Sequence, residues 1–429
     1  MCMPIPEKIN LYLNKKAYKS WKIEGDISKL FKNIIVLPAI AEFENISTLI
    51  SSLEQNDKSL LSETLLLFVI NNSIFSSDEV KKDNLKSIGY LNNLKSELNI
   101  SFIDASTKGK ELEDKNAGVG LARKIGMDIA LTKFDYESSG KNIIICLDAD
   151  CIVDENYLSE IVGEFNQNDF DAAVINYVHD ISGNDDETKA IVFYEIFLRY
   201  YVLGLTYAKS KYNFHTIGST TACTAEAYIK VGGMNKRKAA EDFYFLEKLA
   251  KNYKIGKINS TLVHPSKRSS WRVPFGTGKS VERFTKQNDN DYLLYDPEVI
   301  VILKSWLEVY FDKSNVDYVA LIGKAASIHL ALAEFLKAQK LEELTERSFK
   351  QNLSEIEIAK QKHYWFDAFR TLKLIHYLRD TNFPNINAFN AIDKMFELSG
   401  SDIKIKRKSE TPDLETQKEY LLTIRKMQS

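Results

Sequence analysis

The chain has 429 residues, 44% of them hydrophobic and 27% charged, with a formal net charge of −2. That length suits one large domain with an appendage, or two to three domains, of ordinary globular composition. The charge balance speaks against a general nucleic-acid binder, which carries a visible basic excess, but leaves room for a local basic patch. Four scattered cysteines (Cys2, Cys146, Cys151, Cys223) form no CxxC pair. They argue against a structural zinc site or a disulfide framework and suit a reducing compartment. The opening MCMPIPEKINLYLNKK lacks the basic-then-apolar layout of a signal peptide. A cytoplasmic protein is expected, with the inner face of the membrane as a peripheral alternative.

In chain order, residues 1–32 read as an extension. NIIVLPAI (33–40) predicts a buried strand, followed by a helix over 45–53. TLLLFVINN (64–72) is a second strand, with a lysine-rich helical stretch after it. ISFIDAS (100–106) is a third, leading through a glycine turn into the helix GLARKIGMDIALTKF. KNIIICLDAD (141–150) is a fourth, followed by the helix NYLSEIVGEF, and DAAVINYVH (171–179) is a fifth. Continuous apolar strands alternating with helices predict an α/β fold, a mostly parallel sheet covered on both faces. Ligands of such sheets lie at the carboxyl ends of the strands.

The most apolar stretch, AIVFYEIFLRYYVLGLTYA (190–208), contains Glu195 and Arg199. It therefore fails as a membrane span and predicts an amphipathic helix in which those two residues pair four apart. From about residue 296 the patterns are helical: VIVILKSWLEVYF, a long segment from Tyr318 to Phe349, HYWFDAFRTLKLIHYLRD and NAFNAIDKMFELSG. The expected division is thus 1–32, 33–295 and a helical region 296–429. A charged tail (KIKRKSE) is expected to be loosely ordered up to a short final helix. The helical region has three candidate roles: acceptor recognition, a homodimer interface or a peripheral membrane contact.

Asp148 and Asp150 form a D-x-D at the end of the fourth strand. Two carboxylates this close repel and raise each other's pKa unless a positive group lies between them. Hard oxygen ligands on a short loop suit Mg²⁺ or Mn²⁺ chelating a diphosphate; a helix or turn cap is the plainer reading. Downstream come a Gly-Ser turn, a small-residue strand, VGGM (231–234), a basic loop and then Glu241–Asp242 opening a helix. At a helix N-terminus those acids are also ordinary dipole-stabilising residues.

The order of these features over residues 33–285 resembles that of family 2 glycosyltransferases with a GT-A fold. The features are a first strand ending at Pro38, a second ending in Asn71–Asn72–Ser73, KNAGVGLAR, D-x-D, the Gly-Gly-Met turn and the E-D pair. The resemblance implies a nucleoside-diphosphate-sugar donor, a divalent cation and a hydroxyl acceptor on a glycan, lipid-linked or small molecule. It places Asp148 and Asp150 at the ribose and the metal–diphosphate. Asp242 becomes the base that deprotonates the acceptor, supported by Glu241. Lys115, Asn116, Gly118, Gly120 and Arg123 would line the nucleotide pocket, with Pro38, Glu42 and Asn71 at the strand ends beside it. Inversion is implied, with a retaining enzyme using the same metal site as the alternative. Ala41–Glu42 stand where the family has an asparagine, and Asn71–Asn72 where it has an acidic pair, so the nucleotide stays open.

LVHPSKRSSWRVPFGTGKS (262–280) supplies His264 as a candidate third metal ligand. Arg268 and Arg272 beside Gly276–Thr277–Gly278 are candidates to close over the diphosphate. The D-x-D also fits a haloacid-dehalogenase-type phosphohydrolase, in which the first aspartate is the nucleophile. That class expects Thr or Val at Ile152 and places the motif near the start of the fold, whereas three strand–helix units precede it here. A nucleotidyltransferase expects a glycine-rich loop after the first strand, and VLPAIAEFEN has no glycine. A non-catalytic scaffold is the remaining alternative, and the presence of both acidic pairs argues against it.

Overall fold

The computed structural model describes residues 5–25, 28–267, 292–312, 317–350 and 353–429, with 347–350 as backbone alone. It divides into two compact units. The first comprises Met1–Asp180 and Thr216–Ser280, the second Ile181–His215 and Val281–Ser429. The stretch 181–215, which lies inside the 33–295 division drawn from the sequence, thus packs with the helical region.

The first unit is built on nine strands: β1 (Ile23–Glu24), β2 (Asn33–Ala39), β3 (Thr64–Asn71), β4 (Asn99–Ala105), β5 (Ile143–Cys146), β6 (Ile152–Val153), β7 (Ala172–Tyr177), β8 (Thr221–Thr224) and β9 (Ile255–His264). Their order across the sheet is β1-β4-β3-β2-β5-β8-β7-β9-β6. β2, β3, β4 and β5 run parallel, as their unbroken apolar runs require, and every residue of β2 and β3 is buried. β8 is antiparallel to both β5 and β7. β1 and β6 are also antiparallel to their neighbours. The sheet is therefore mixed, with a parallel half that matches the sequence reading.

The chain moves outward from β2 to β3 and β4, then returns to place β5 on the other side of β2. This reversal opens a crevice beyond the carboxyl ends of β2 and β5, where doubly wound sheets bind ligands. The helix Val119–Ala130 covers this part of the sheet. A Cβ at Gly126 would overlap Val36 and lie 2.8 Å from Val69 Cγ2, so the helix backbone rests directly on the strands.

The N-terminal helix Glu7–Lys16 is fastened to the same unit through a buried polar cluster. Tyr12 and Tyr228 hydroxyls donate to Asp128 Oδ1 at 2.8 and 2.7 Å, and Lys124 Nζ donates to Asp128 Oδ2 at 2.8 Å. A Cβ at Gly233 would collide with the Tyr12 hydroxyl, and Gly233 has φ +74°. The Gly-Gly turn is thus dictated by packing as well as by backbone conformation.

In the second unit the helix Asp186–Tyr207 runs through a core that includes Trp306, Tyr310, Leu332 and Phe389. By length and composition it is apolar enough to cross a membrane, and 67% of its most apolar window is buried. Glu195 accepts from Arg199 Nε at 2.6 Å, the expected pairing, and is also held by Arg425 Nη2 at 2.7 Å. Arg425 belongs to the final helix Leu414–Gln428, which is fifteen residues long and docked rather than short. The tail before it is tied down too: Arg407 Nη1 donates to the Glu410 carbonyl at 2.8 Å and Nη2 to Asp393 at 3.0 Å. The long helical segment after Tyr318 is three helices, Tyr318–Ile328, Leu330–Ala338 and Leu341–Lys350. The first break falls at His329, whose Nδ1 caps the next helix by accepting from Ala331 N at 3.2 Å.

Candidate active site

β5 delivers the D-x-D. Leu147, Ala149 and Cys151 turn into the core at 2% exposure or less, which leaves Asp148 and Asp150 on the open side. Cys151 N donates to the Asp148 carbonyl at 3.1 Å and closes the turn. The positive group beside Asp148 is Arg123, from the second turn of the helix Val119–Ala130. Its Nη2 donates to Asp148 Oδ1 at 2.5 Å and its Nη1 to Glu241 Oε1. The Arg123 and Glu241 side chains are 3% and 4% exposed and Asp148 is 35% exposed, so the fork faces solvent on the Asp148 side only. Arg123 bridges carboxylates that are 25 and 118 positions away in sequence.

Two glycines make this bridge possible. A Cβ at Gly218, on the turn before β8, would land on the Arg123 guanidinium. A Cβ at Gly120 would strike the Arg237 carbonyl and lie 2.9 Å from Glu241 Cβ. Gly218→Ala is therefore expected to push the guanidinium out of its seat. The cost should be about 1–3 kcal/mol of stability, as for other overpacked sites, measured as a lower urea midpoint at unchanged slope.

Glu241 and Asp242 open the helix Glu241–Asn252, preceded by Ala240 in the left-handed region at φ +56°. That is an uncommon conformation for alanine and marks a strained entry to the helix. Asn235 Nδ2 steadies the turn by donating to the Glu241 carbonyl at 2.8 Å, and Phe243 N donates to Asp242 Oδ1 at 2.7 Å. Burial pushes the Glu241 carboxyl up to about 7 against the pull of Arg123, with Asp242 adding to the rise. Asp242 is raised by burial as well, again opposed by Arg123. Two adjacent carboxyl groups with raised proton affinity at a helix N-terminus in a sheet crevice are suited to proton transfer near neutral pH.

The other sequence candidates fall in several places. Pro38 is buried in β2 opposite Val69. Glu42 is 7% exposed and accepts from Asn45 Nδ2 at 2.6 Å. Asn71 spends its amide donors on the Ala39 and Val69 carbonyls, both at 3.1 Å, inside the sheet. Lys115 is exposed and Asn116 half-buried on a short turn of helix, and Gly118 lies against the backbone of Lys238. His264 ends β9 opposite Ile152, and its Nε2 meets Asp154 Oδ1 at 2.8 Å. Among the described residues no group of three or more His, Cys, Asp or Glu side chains is gathered that could hold a metal ion, so His264 is not assembled with Asp148 and Asp150. Two carboxylates still fit a hard cation that completes its shell with substrate oxygens, as Mg²⁺ commonly does. Arg268 and Arg272 lie outside the described residues.

Sequence reasoning missed Gly218 as the seat of Arg123, Asp154 as the partner of His264, and Asp128 as the anchor of the N-terminal helix. Only Asp128 left a signal: a charged residue four positions after Lys124 on an apolar helix pattern.

The family described as glycosyl transferase family 2 matches residues 111–240, a span that holds Arg123 and the D-x-D and stops one residue before Glu241. No curated protein matches the chain. Among solved structures, the chain is similar to S. aureus TarS 1–349 in complex with UDP-GlcNAc, at 14% identity and TM-score 0.40, over 78% of this chain and 91% of that one. It is also similar to the mannosyltransferase PcManGT from Pyrobaculum calidifontis in complex with GDP-Man and Mn²⁺, at 12% identity and TM-score 0.37, over 87% and 93%. A third is glucosyl-3-phosphoglycerate synthase from Mycobacterium tuberculosis in complex with Mn²⁺, UDP and phosphoglyceric acid, at 12% identity and TM-score 0.35, over 69% and 81%. The similarity to glycosyl transferase family 2 thus covers the segment that carries Arg123 and the D-x-D beyond β5.

Proposed function

We propose that the chain transfers a sugar from a nucleoside-diphosphate sugar to an acceptor hydroxyl, with inversion, and that Asp242 is the general base. The observation that carries this reading is Arg123, which ties the D-x-D loop to the E-D helix through a single guanidinium. The crevice then has a donor end at Asp148 and Asp150 and an acceptor end at Glu241 and Asp242. Asp242 takes the acceptor O–H proton as that oxygen bonds to the sugar's anomeric carbon, and the bond from that carbon to the diphosphate breaks. Glu241 stays fixed against Arg123 and holds the helix N-terminus in place. Asp148 and Asp150 are the residues that would hold a Mn²⁺ or Mg²⁺ arriving with the donor, which would neutralise the departing diphosphate.

The test is release of nucleoside diphosphate from a panel of UDP- and GDP-sugars with Mn²⁺. Release from at least one donor is expected, and release from none would overturn the reading. A pH profile adds a second prediction. Because burial raises the Asp242 carboxyl, its basic form is depleted in acid, so kcat/KM should fall as the pH is lowered. A kcat/KM that stays level as the pH is lowered into the ordinary carboxylate range would remove Asp242 from the base role.

A further inference from the structure

The basic loop between the Gly-Gly turn and Glu241 has no part in the chemistry above. Lys236, Arg237 and Lys238 are all exposed. The loop is held in place from below, since Cβ atoms at Gly118 and Gly120 would meet the backbones of Lys238 and Arg237. Lys236 Nζ lies 4.9 Å from the centre of the Tyr18 ring, and the Arg237 guanidinium lies 3.9 Å over Tyr244. Tyr18 in turn meets Trp21 edge-on at 5.5 Å.

Lys16, at the end of the N-terminal helix, and Lys248, two turns along the helix that Glu241 opens, join the same face. Lys248 holds its proton less firmly than an ordinary lysine, first because of burial and then because Lys124, Lys16 and Arg237 crowd it. Glu247 opposes that crowding but is shared with Lys251 at 3.7 Å, and Asp114, which also accepts from Ser73 Oγ, lies 3.8 Å from Lys238 Nζ. Among the described residues Lys16, Lys236, Arg237 and Lys248 make no ion pair. A chain with a net charge of −2 has acids to spare, yet it leaves these cations unneutralised around the half-buried rings of Tyr18 and Tyr244. Such a surface raises the local concentration of anions and steers them inward.

We propose that this patch binds the anionic groups of the acceptor, a phosphate- or carboxylate-bearing glycan chain, and feeds its hydroxyl end to Asp242. This rests on the assignment of the Glu241–Asp242 end of the crevice to the acceptor. Guanidinium and ammonium groups would take the anions, while Tyr18, Trp21 and Tyr244 offer faces and edges to sugar rings. The loop runs without interruption into Glu241, so an acceptor bound along it arrives beside the base.

The probe is fluorescently labelled polyphosphate of about ten residues, titrated against the full chain at several salt concentrations. Each phosphate that a variant no longer neutralises should flatten the log–log salt dependence by roughly 0.7–0.9. Lys236→Ala/Arg237→Ala/Lys248→Ala should weaken binding at least about tenfold, a modest sum for three charge-assisted hydrogen bonds, and flatten that dependence. Lys404→Ala/Lys406→Ala/Lys408→Ala, in the other basic stretch, should leave it unchanged. Binding of UDP and GDP with Mn²⁺ should survive the first triple variant.

Equal polyphosphate binding by the triple variant and wild type would overturn the proposal. Equal loss of nucleotide binding would also overturn it, by making the patch part of the donor site. So would a triple variant that loses binding to vesicles with about 30% phosphatidylserine while keeping polyphosphate, which would make it a membrane surface. Failure of the wild type to cleave any sugar nucleotide counts against the transferase assignment, and it is read separately from the polyphosphate titration.

Discussion

Arg123→Met is expected to lower the stability of the first unit by about 3 kcal/mol, the low end of what breaking a buried ion pair costs. The low end applies because Asp148 is 35% exposed and regains water, while Glu241 at 4% does not. Methionine fills most of the volume, so the loss is electrostatic rather than a cavity. The pH dependence identifies its cause. Arg123 opposes the rise in the Glu241 and Asp242 pKa values, so its removal raises them further. A carboxyl whose folded pKa lies above its unfolded value destabilises the fold when ionised, and is relieved as pH falls through the folded value. Arg123→Met should therefore lose most at pH 8 and recover part of the deficit by pH 5.5, as read from urea midpoints. A deficit independent of pH would assign Arg123 a packing role. Arg123→Lys keeps the charge but not the fork, reaches one carboxylate rather than two, and should fall between.

Asp242→Asn is expected to lower kcat by roughly 10²–10⁴, the range for removing a positioned general base. The side chain keeps its size, and its Oδ1 still accepts from Phe243 N, so the helix entry survives. Donor affinity should change little, because the D-x-D and Arg123 are untouched.

Much of the parallel half of the sheet is legible from sequence, because strands buried on both faces must be continuously apolar. Asn33–Ala39, Thr64–Asn71 and Ile143–Cys146 carry that pattern. β9 is not legible: IGKINSTLVH is flanked by strands on both sides, yet it alternates exposed Lys257, Asn259 and Ser260 with buried positions. The break at His329 escapes for a related reason, since neither glycine nor proline marks it and the cap is a histidine ring.

The D-x-D and the E-D pair are each visible as sequence pairs, but the group that joins them is not. The family resemblance puts Arg123 in the lining of the nucleotide pocket, and the cation between the carboxylates is expected to come in with the donor. In the structure the first positive partner of Asp148 is the chain's own arginine, seated by a glycine 95 positions later in a segment whose sequence reads only as a turn. Contacts of that separation follow from the sheet order, in which β8 lies beside β5, and leave no local pattern.

The most direct test of the site is a single-turnover experiment with enzyme in excess over a sugar nucleotide that the wild type cleaves. Wild type and Asp242→Asn would be compared at pH 8 with Mn²⁺, with binding and nucleoside diphosphate release followed together. The expected result is comparable donor binding by both proteins, with release slowed at least about a hundredfold in the variant. Release at the wild-type rate by Asp242→Asn would contradict the assignment of the base and, with it, the acceptor end of the crevice.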